Sequence, residues 1–137
     1  LPLERPVDLH RVAPAYSPAK TAVAALRDGV RAGPSDVEGI DNLGYAYNLS
    51  GDLGAAEFWA KVALAVAPTR SSAWLNFGIA AGQQGDETTS LGAMLLAHKY
   101  SGRPDRTIKA IQDVSGRGNS TSEMRSVAAR ALAALSR

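Results

Sequence analysis

Two stretches of this chain, thirty-four residues apart, carry the same punctuation. Asn42, Gly44, Gly51 and Asp52 recur as Asn76, Gly78, Gly85 and Asp86. Ile40 matches Trp74, Leu43 matches Phe77, and Ala63 matches Ala97. Self-similarity at a fixed period means that one supersecondary unit is used more than once. Such a unit cannot bury its apolar face alone and must stack on its neighbour.

The units are helical. Ser17-Pro18 is a cap followed by Pro at the first helical position, and Ala22, Leu26 and Val30 then recur at helical spacing until Gly33-Pro34. Ser35 with Glu38 has the capping-box pattern, and Val37, Ile40, Leu43, Gly44 and Tyr47 share one face up to Gly51-Asp52. Leu53, Ala56, Ala60, Ala63 and Leu64 form the next stripe, which Pro68 ends. Further helices are predicted over about 71–84, 87–100 and 104–114. "SGRGNS" (115–120) is predicted as a loop, and Ser120 with Glu123 is predicted to open a last helix that ends near Leu135. That is about seven helices with short links and no β pattern, and short links imply antiparallel neighbours. Residues 1–16 hold Pro2, Pro6 and Pro14 with no steady period and read as an irregular arm.

The small residues have a physical reading. Gly44 and Gly78 fall where the first helix of a unit meets the second, and a side chain there would push the helices apart. Ala56, Ser90, Ala63 and Ala97 keep the same contact close from the partner side. Gly51 and Gly85 are placed to stop the first helix in a left-handed conformation that only Gly adopts cheaply.

Ile40-x2-Leu43-Gly44-x2-Tyr47 and Trp74-x2-Phe77-Gly78-x2-Ala81 resemble the W-x2-L-G-x2-Y signature of the tetratricopeptide repeat (TPR). The resemblance covers residues 37–104. It implies an all-α fold of antiparallel helix-turn-helix units stacked into a right-handed superhelix, a TPR-like α-solenoid. In that reading 17–34 is a half unit and 37–70 and 71–104 are full units. Residues 105–137 form a degenerate third unit, which lacks the Leu-Gly pair but keeps its apolar register through Ile108, Ile111, Met124, Ala128 and Ala131. Upstream, Ala22, Leu26 and Gly29 take second-helix positions.

In that family the first helix of each pair lines a concave face that holds an extended peptide or a partner helix. Carried onto this chain, the lining is Glu38, Asp41, Asn42, Tyr45 and Asn48, then Ser72, Leu75, Asn76, Ile79 and Gln83, then Arg106, Lys109 and Asp113. Asn42 and Asn76 are singled out, because packing of the repeat does not ask for Asn and an amide both donates and accepts. Each either meets a ligand, touches the neighbouring helix or faces solvent. Arg70, Arg106 and Lys109 are either an acidic-segment contact or an ordinary solvated cluster. Some family members grip a C-terminal carboxylate with a Lys-Asn-Asn-Lys-Arg set. Asp41 and Tyr45 stand where that set begins, so the match fails. Phe58 and Trp59 are adjacent, so one packs and the other is left outward.

Composition narrows the function classes. Fifteen Lys and Arg against thirteen Asp and Glu leave a net charge of +2, scattered rather than striped, which argues against a nucleic-acid partner. There is no Cys, which removes disulfides and thiolate metal sites. No apolar run reaches a membrane span. His10 and His98 share no ligand spacing, and no phosphate loop or nucleophile elbow is present. Neither catalytic residues nor a cofactor nor a metal site is expected. The expectation is a non-catalytic protein–protein interaction module that binds a protein or peptide, such as an assembly factor or scaffold of a bacterial secretion, pilus or envelope-export system. The alternatives are a self-associating domain whose groove is filled by its own arm, and the regulatory part of a larger enzyme or outer-membrane protein. The Ala- and Arg-rich composition without Cys fits either the cytoplasm or the envelope of a bacterium.

Overall fold

The computed structural model describes residues 18–32 and 36–137. Among them are seven helices and no strand: α1 (Pro18–Ala32), α2 (Val37–Ser50), α3 (Leu53–Val66), α4 (Ser71–Gln83), α5 (Glu87–Lys99), α6 (Pro104–Gly116) and α7 (Ser122–Leu135). The expected arm and the Ser17, Gly33-Pro34 and Ser35 signals lie outside the described residues. None of the described helices is long and apolar enough to cross a membrane.

The recurring Gly-Asp pair is a joint with two halves. Gly51 and Gly85 have φ of 82° and 90°, the left-handed region that glycine enters without a Cβ clash. After α2, the Asp52 N–H bonds to the Tyr47 carbonyl at 3.1 Å and the Gly51 N–H to the Asn48 carbonyl at 3.2 Å. After α4, Asp86 and Gly85 repeat this on Ala81 and Gly82 at 2.9 and 3.0 Å. Each Asp then caps the following helix, accepting from the N–H of Ala55 (3.3 Å) or Thr89 (3.2 Å). Glycine stops one helix and aspartate starts the next, so a hairpin turn needs only two residues of specific chemistry.

Consecutive helices pack on one another from α1 to α5, and α2 also lies against α4. Gly44 and Gly78 sit at the hairpin contacts as expected. A Cβ on Gly44 would stand 3.6 Å from the Ala60 nitrogen, and one on Gly78 would stand 3.2 Å from the Ser90 carbonyl oxygen. Ala56, Ala63, Ser90 and Ala97 are fully buried opposite. Two cores result. The first joins Val23 and Val30 of α1, Ile40, Leu43 and Tyr47 of α2, and the small residues of α3 and α4. The second joins Ile79, Met94, Ile111, Val114, Met124 and Val127. Burial of each large aliphatic side chain stabilises by about 1.5–3 kcal/mol, so both halves depend on α4, which contributes to each.

Asp36 caps α2, accepting from Glu38 N–H at 3.1 Å and Gly39 N–H at 3.3 Å. Three expectations are corrected. Thr121, not Ser120, caps α7 by accepting from Met124 N–H at 3.1 Å, and the buried Ser120 hydroxyl instead donates to the Val114 carbonyl. Ser115 and Gly116 belong to α6 rather than to a loop. On α1 the inward stripe is Val23, Leu26 and Val30, while Ala22 and Gly29 are exposed. Val is the better apolar filler at the same helical spacing, and it sets which way the helix turns.

The last pair of helices is the largest departure. Ile111, Met124, Ala128 and Ala131 are buried and Ile108 half-buried, so the expected inward face is present. A third unit in register would nevertheless lay α6 broadly on α5 and α4, as α4 lies on α3 and α2. Instead α7 makes the broader contact with α5, while α7 meets α4 and α6 meets α5 only over small areas. Gly82 shows how close α7 comes. A Cβ there would stand 2.5 Å from the Met124 sulfur and 2.6 Å from the Ser90 hydroxyl oxygen.

Candidate functional site

The predicted lining separates into a buried lock, an occupied surface and an open cleft. The lock is centred on Asp41, which is 3% exposed. Its carboxylate accepts from Arg70 Nε at 2.9 Å, from Asn76 Nδ2 at 2.9 Å and from the Ser72 hydroxyl. Asn76 Nδ2 also donates to the Asp41 carbonyl at 3.0 Å. Two turns further along α2, Asn48 Nδ2 donates to the Asn76 carbonyl at 3.0 Å. Asp41 meets Ser72 and Asn76 while Asn48 meets Asn76, so α2 and α4 run parallel and their N-terminal ends lie at the same edge.

This network corrects the reading of Asn76 as a residue that packing does not require. Asn76 is 5% exposed, and its amide joins the two helices. A buried carboxylate is tolerable only when paired and hydrogen-bonded, and three donors from α4 and its approach do this for Asp41. Asp41, Asn48 and Asn76 are therefore committed to each other. Asn42, one residue away, faces solvent.

The occupied surface lies toward the C-terminal half of α4. Gln83 donates from Nε2 to the Asn119 carbonyl at 3.3 Å and accepts from Thr121 N–H at 2.9 Å. Arg117 reaches over the ring of Tyr45 at 5.8 Å from the centroid. The link between α6 and α7 thus crosses from α4 toward α2. Ile79 is buried in the second core with α6 and α7 side chains, so it is not available as lining. Lys109 pairs with Asp113 at 3.5 Å along α6, an exposed (i, i+4) contact worth a few tenths of a kcal/mol at about 0.3–0.5. Tyr45 itself stays 44% exposed, with Leu49 at 41% one turn on.

The open cleft lies between the first turns of α4 and α6. It holds about 450 Å³ and is lined by Arg70, Ser72 and Leu75 from one side and Arg103, Arg106 and Ala110 from the other. The two helices make no extensive contact with each other. Four predicted lining residues, Arg70, Ser72, Leu75 and Arg106, come together here. Arg103 and Ala110 were not singled out from the sequence. Arg103 stands immediately before Pro104, a helix-start signal that placed it at the same edge as Arg70. Neither α4 nor α6 has a side-chain cap at its N-terminus. A smaller cleft of about 340 Å³ lies between α1 and α2 and includes Leu26, Val30, Glu38 and Asn42.

Arg70 is fixed differently from its neighbours. Its Nε is bound to the buried Asp41, and its side chain is 31% exposed. Arg103 is 3.7 Å from Asp105, with both side chains more than half exposed. Arg106 is exposed. Among the described residues no cluster of three or more His, Cys, Asp or Glu is placed to hold a metal ion. Of the adjacent aromatics, Trp59 packs against the first core and Phe58 is 52% exposed. Compared with protein-family models and with curated proteins, the sequence matches none.

Proposed function

We propose that this chain is a non-catalytic protein–protein interaction module of the tetratricopeptide-like kind. In this reading α2–α3 and α4–α5 are its two regular units, stacked with the right-handed turn of that architecture, and it serves as an assembly factor or scaffold. A segment of a partner docks along the N-terminal edge of the first helices. The observation that carries this reading is the open cleft between α4 and α6. It combines an apolar floor, Leu75 and Ala110, with a cationic rim, Arg70, Arg103 and Arg106. Concave sites with apolar lining and a few placed polar groups are where ligands bind. Its volume suits one or two side chains rather than a whole domain. The buried lock beneath it keeps α2 and α4 rigid, which lowers the ordering cost of docking.

The test is selection of peptides from a displayed random library on the full chain, followed by affinity measurement on a Leu75→Ser, Arg106→Glu variant. Peptides selected on the parent should lose at least about 2 kcal/mol of binding, a fall of roughly thirtyfold, as expected for loss of an anchoring pocket. Recovery of no peptide, or equal affinity for both proteins, refutes the reading.

A further inference from the structure

We infer that the α4–α6 cleft recognises a phosphoryl group carried on a side chain of the docked segment. The inference rests on the docking reading above and names the chemistry that the cleft selects. Its basis is the number, origin and preparation of the guanidiniums. Three arginines from two separate helix starts line one cavity, Arg70 before α4 and Arg103 and Arg106 at the start of α6.

Arg70 is held ready. Its Nε is locked to a carboxylate that is itself buried and bound to Ser72 and Asn76. That leaves the forked Nη end to donate, and a fork whose orientation is already fixed loses little entropy on binding an oxyanion. The buried carboxylate also balances the charge of Arg70. The charge left to the cleft is that of Arg103 and Arg106. Asp105 is the acid near them, but its side chain is 74% exposed and 3.7 Å from Arg103, an arrangement that screening weakens.

A carboxylate would balance one of the two remaining guanidiniums. A phosphoryl group carries nearly two negative charges at neutral pH and three acceptor oxygens, so it balances both and still accepts from Arg70. Leu75 and Ala110 give the carbon stem an apolar surface, so the group is best presented on a side chain rather than as the free ion. Ser71 and Ser72 open α4 without a side-chain cap, so backbone N–H groups border the same space.

The experiment titrates phenyl phosphate into the ¹⁵N-labelled full chain at constant ionic strength and follows the amides of residues 71–73 and the Nε–H signals of Arg103 and Arg106. Benzenesulfonate and benzoate are the parallel arms, with one charge each on the same ring. Saturable shifts confined to the cleft are expected, with phenyl phosphate at least tenfold tighter than either comparison. An Arg103→Gln, Arg106→Gln variant should lose at least tenfold in affinity with an unchanged unfolding midpoint, because neither side chain supports the core. Lowering the pH from 7.5 to 5 should weaken phenyl phosphate severalfold, since its second proton binds near pH 6, and leave benzenesulfonate unchanged. Uniform or non-saturating shifts, equal affinity for benzoate, or unimpaired binding by the double variant each overturn the inference. Library peptides that bind through Leu75 while phenyl phosphate does not bind would overturn it and leave the docking reading standing. Phenyl phosphate binding without any selected peptide would overturn the docking reading, and with it the carrier segment, and leave only the phosphoryl preference of the cleft standing.

Discussion

Replacing Gly82 with alanine tests whether α7 is seated on α4. The added Cβ would lie 2.5 Å from Met124 Sδ, 2.6 Å from Ser90 Oγ and 3.0 Å from Met124 Cε. Comfortable carbon contacts lie at about 3.5–4.0 Å, so two groups must move by about an ångström. Both are constrained. Met124 and Ser90 are fully buried, and the Ser90 hydroxyl donates to the Gly78 carbonyl at 2.6 Å. Breaking that bond costs about 1 kcal/mol, and forcing Met124 outward is overpacking worth about 1–3 kcal/mol. Alanine's better helix propensity returns at most about 1 kcal/mol. The net expectation is destabilisation by about 1–3 kcal/mol, or roughly 3–9 °C in Tm for a chain of this size. Gly44→Ala is the internal control. Its Cβ would meet nothing nearer than 3.6 Å, so the helix gains propensity without strain and stability should stay level or rise by up to about 1 kcal/mol. Gly44→Leu should overpack the same contact, at about 1–3 kcal/mol. Urea unfolding followed by helical circular dichroism measures all three. Gly82→Ala at parental stability would mean that α7 does not approach α4 as described. A Gly82→Ala, Met124→Ala double variant sharpens the point, because the two losses should fall short of additivity by about 1 kcal/mol if the residues touch.

Two further expectations use the same assay. Gly51→Ala and Gly85→Ala each place a Cβ at positive φ and should cost about 1–2 kcal/mol, although a Cβ at either position meets no atom within 4 Å; a neutral result would deny the left-handed helix stop. Asp41→Ala removes the shared acceptor of Arg70, Ser72 and Asn76 and should cost about 3 kcal/mol, while Asn42→Ala, one residue away and exposed, should stay within about 0.5 kcal/mol. Equal effects of these two changes would remove the buried lock.

What was legible in the sequence was local. The Gly-Asp joint is complete within nine residues, from the Tyr47 carbonyl to the Ala55 N–H, so its conformation follows from the identity of two neighbouring side chains. The hairpin contacts at Gly44 and Gly78 were legible for a similar reason, since a repeat of small residues at one phase has few other uses. The sequence leaves Asn76 open between ligand, neighbouring helix and solvent, because its partner sits thirty-five residues away. An amide on a helix looks the same whether it faces water or a buried carboxylate. The missing clue was Asp41 in the same phase as the expected inward face, with Arg70 and Ser72 available to satisfy it. A buried acid demands donors, and the donors were within reach of one turn. Arg103 was overlooked because it becomes interesting only once α6 is known to leave α4.

Periodicity also could not say which helix α6 would meet, and the reason bears on function. In the two regular units the position after Leu43 and Phe77 is glycine, and that glycine admits the partner helix. The corresponding residues of the last pair are Ile111 and Gln112. Ile111 still points inward and is fully buried, but Gln112 is exposed. A Gln side chain has no room at a contact where a Cβ on Gly78 already meets Met94, Ser90 and Ala93 at 3.2–3.3 Å. A first helix bearing Gln112 therefore cannot repeat the hairpin geometry, and α6 takes another position. Gly82 makes the alternative possible, since it opens the end of α4 to Met124 of α7. With α7 covering α4 from that end, α6 is held by Ile111 and Val114 in the second core, while its first turn stands away from Ser72 and Leu75. The gap is the cleft that collects Arg70, Arg103 and Arg106. Gln112 in place of glycine thus goes with the open cleft, and restoring glycine at 112 is not expected to close it unless Gly82 is filled as well.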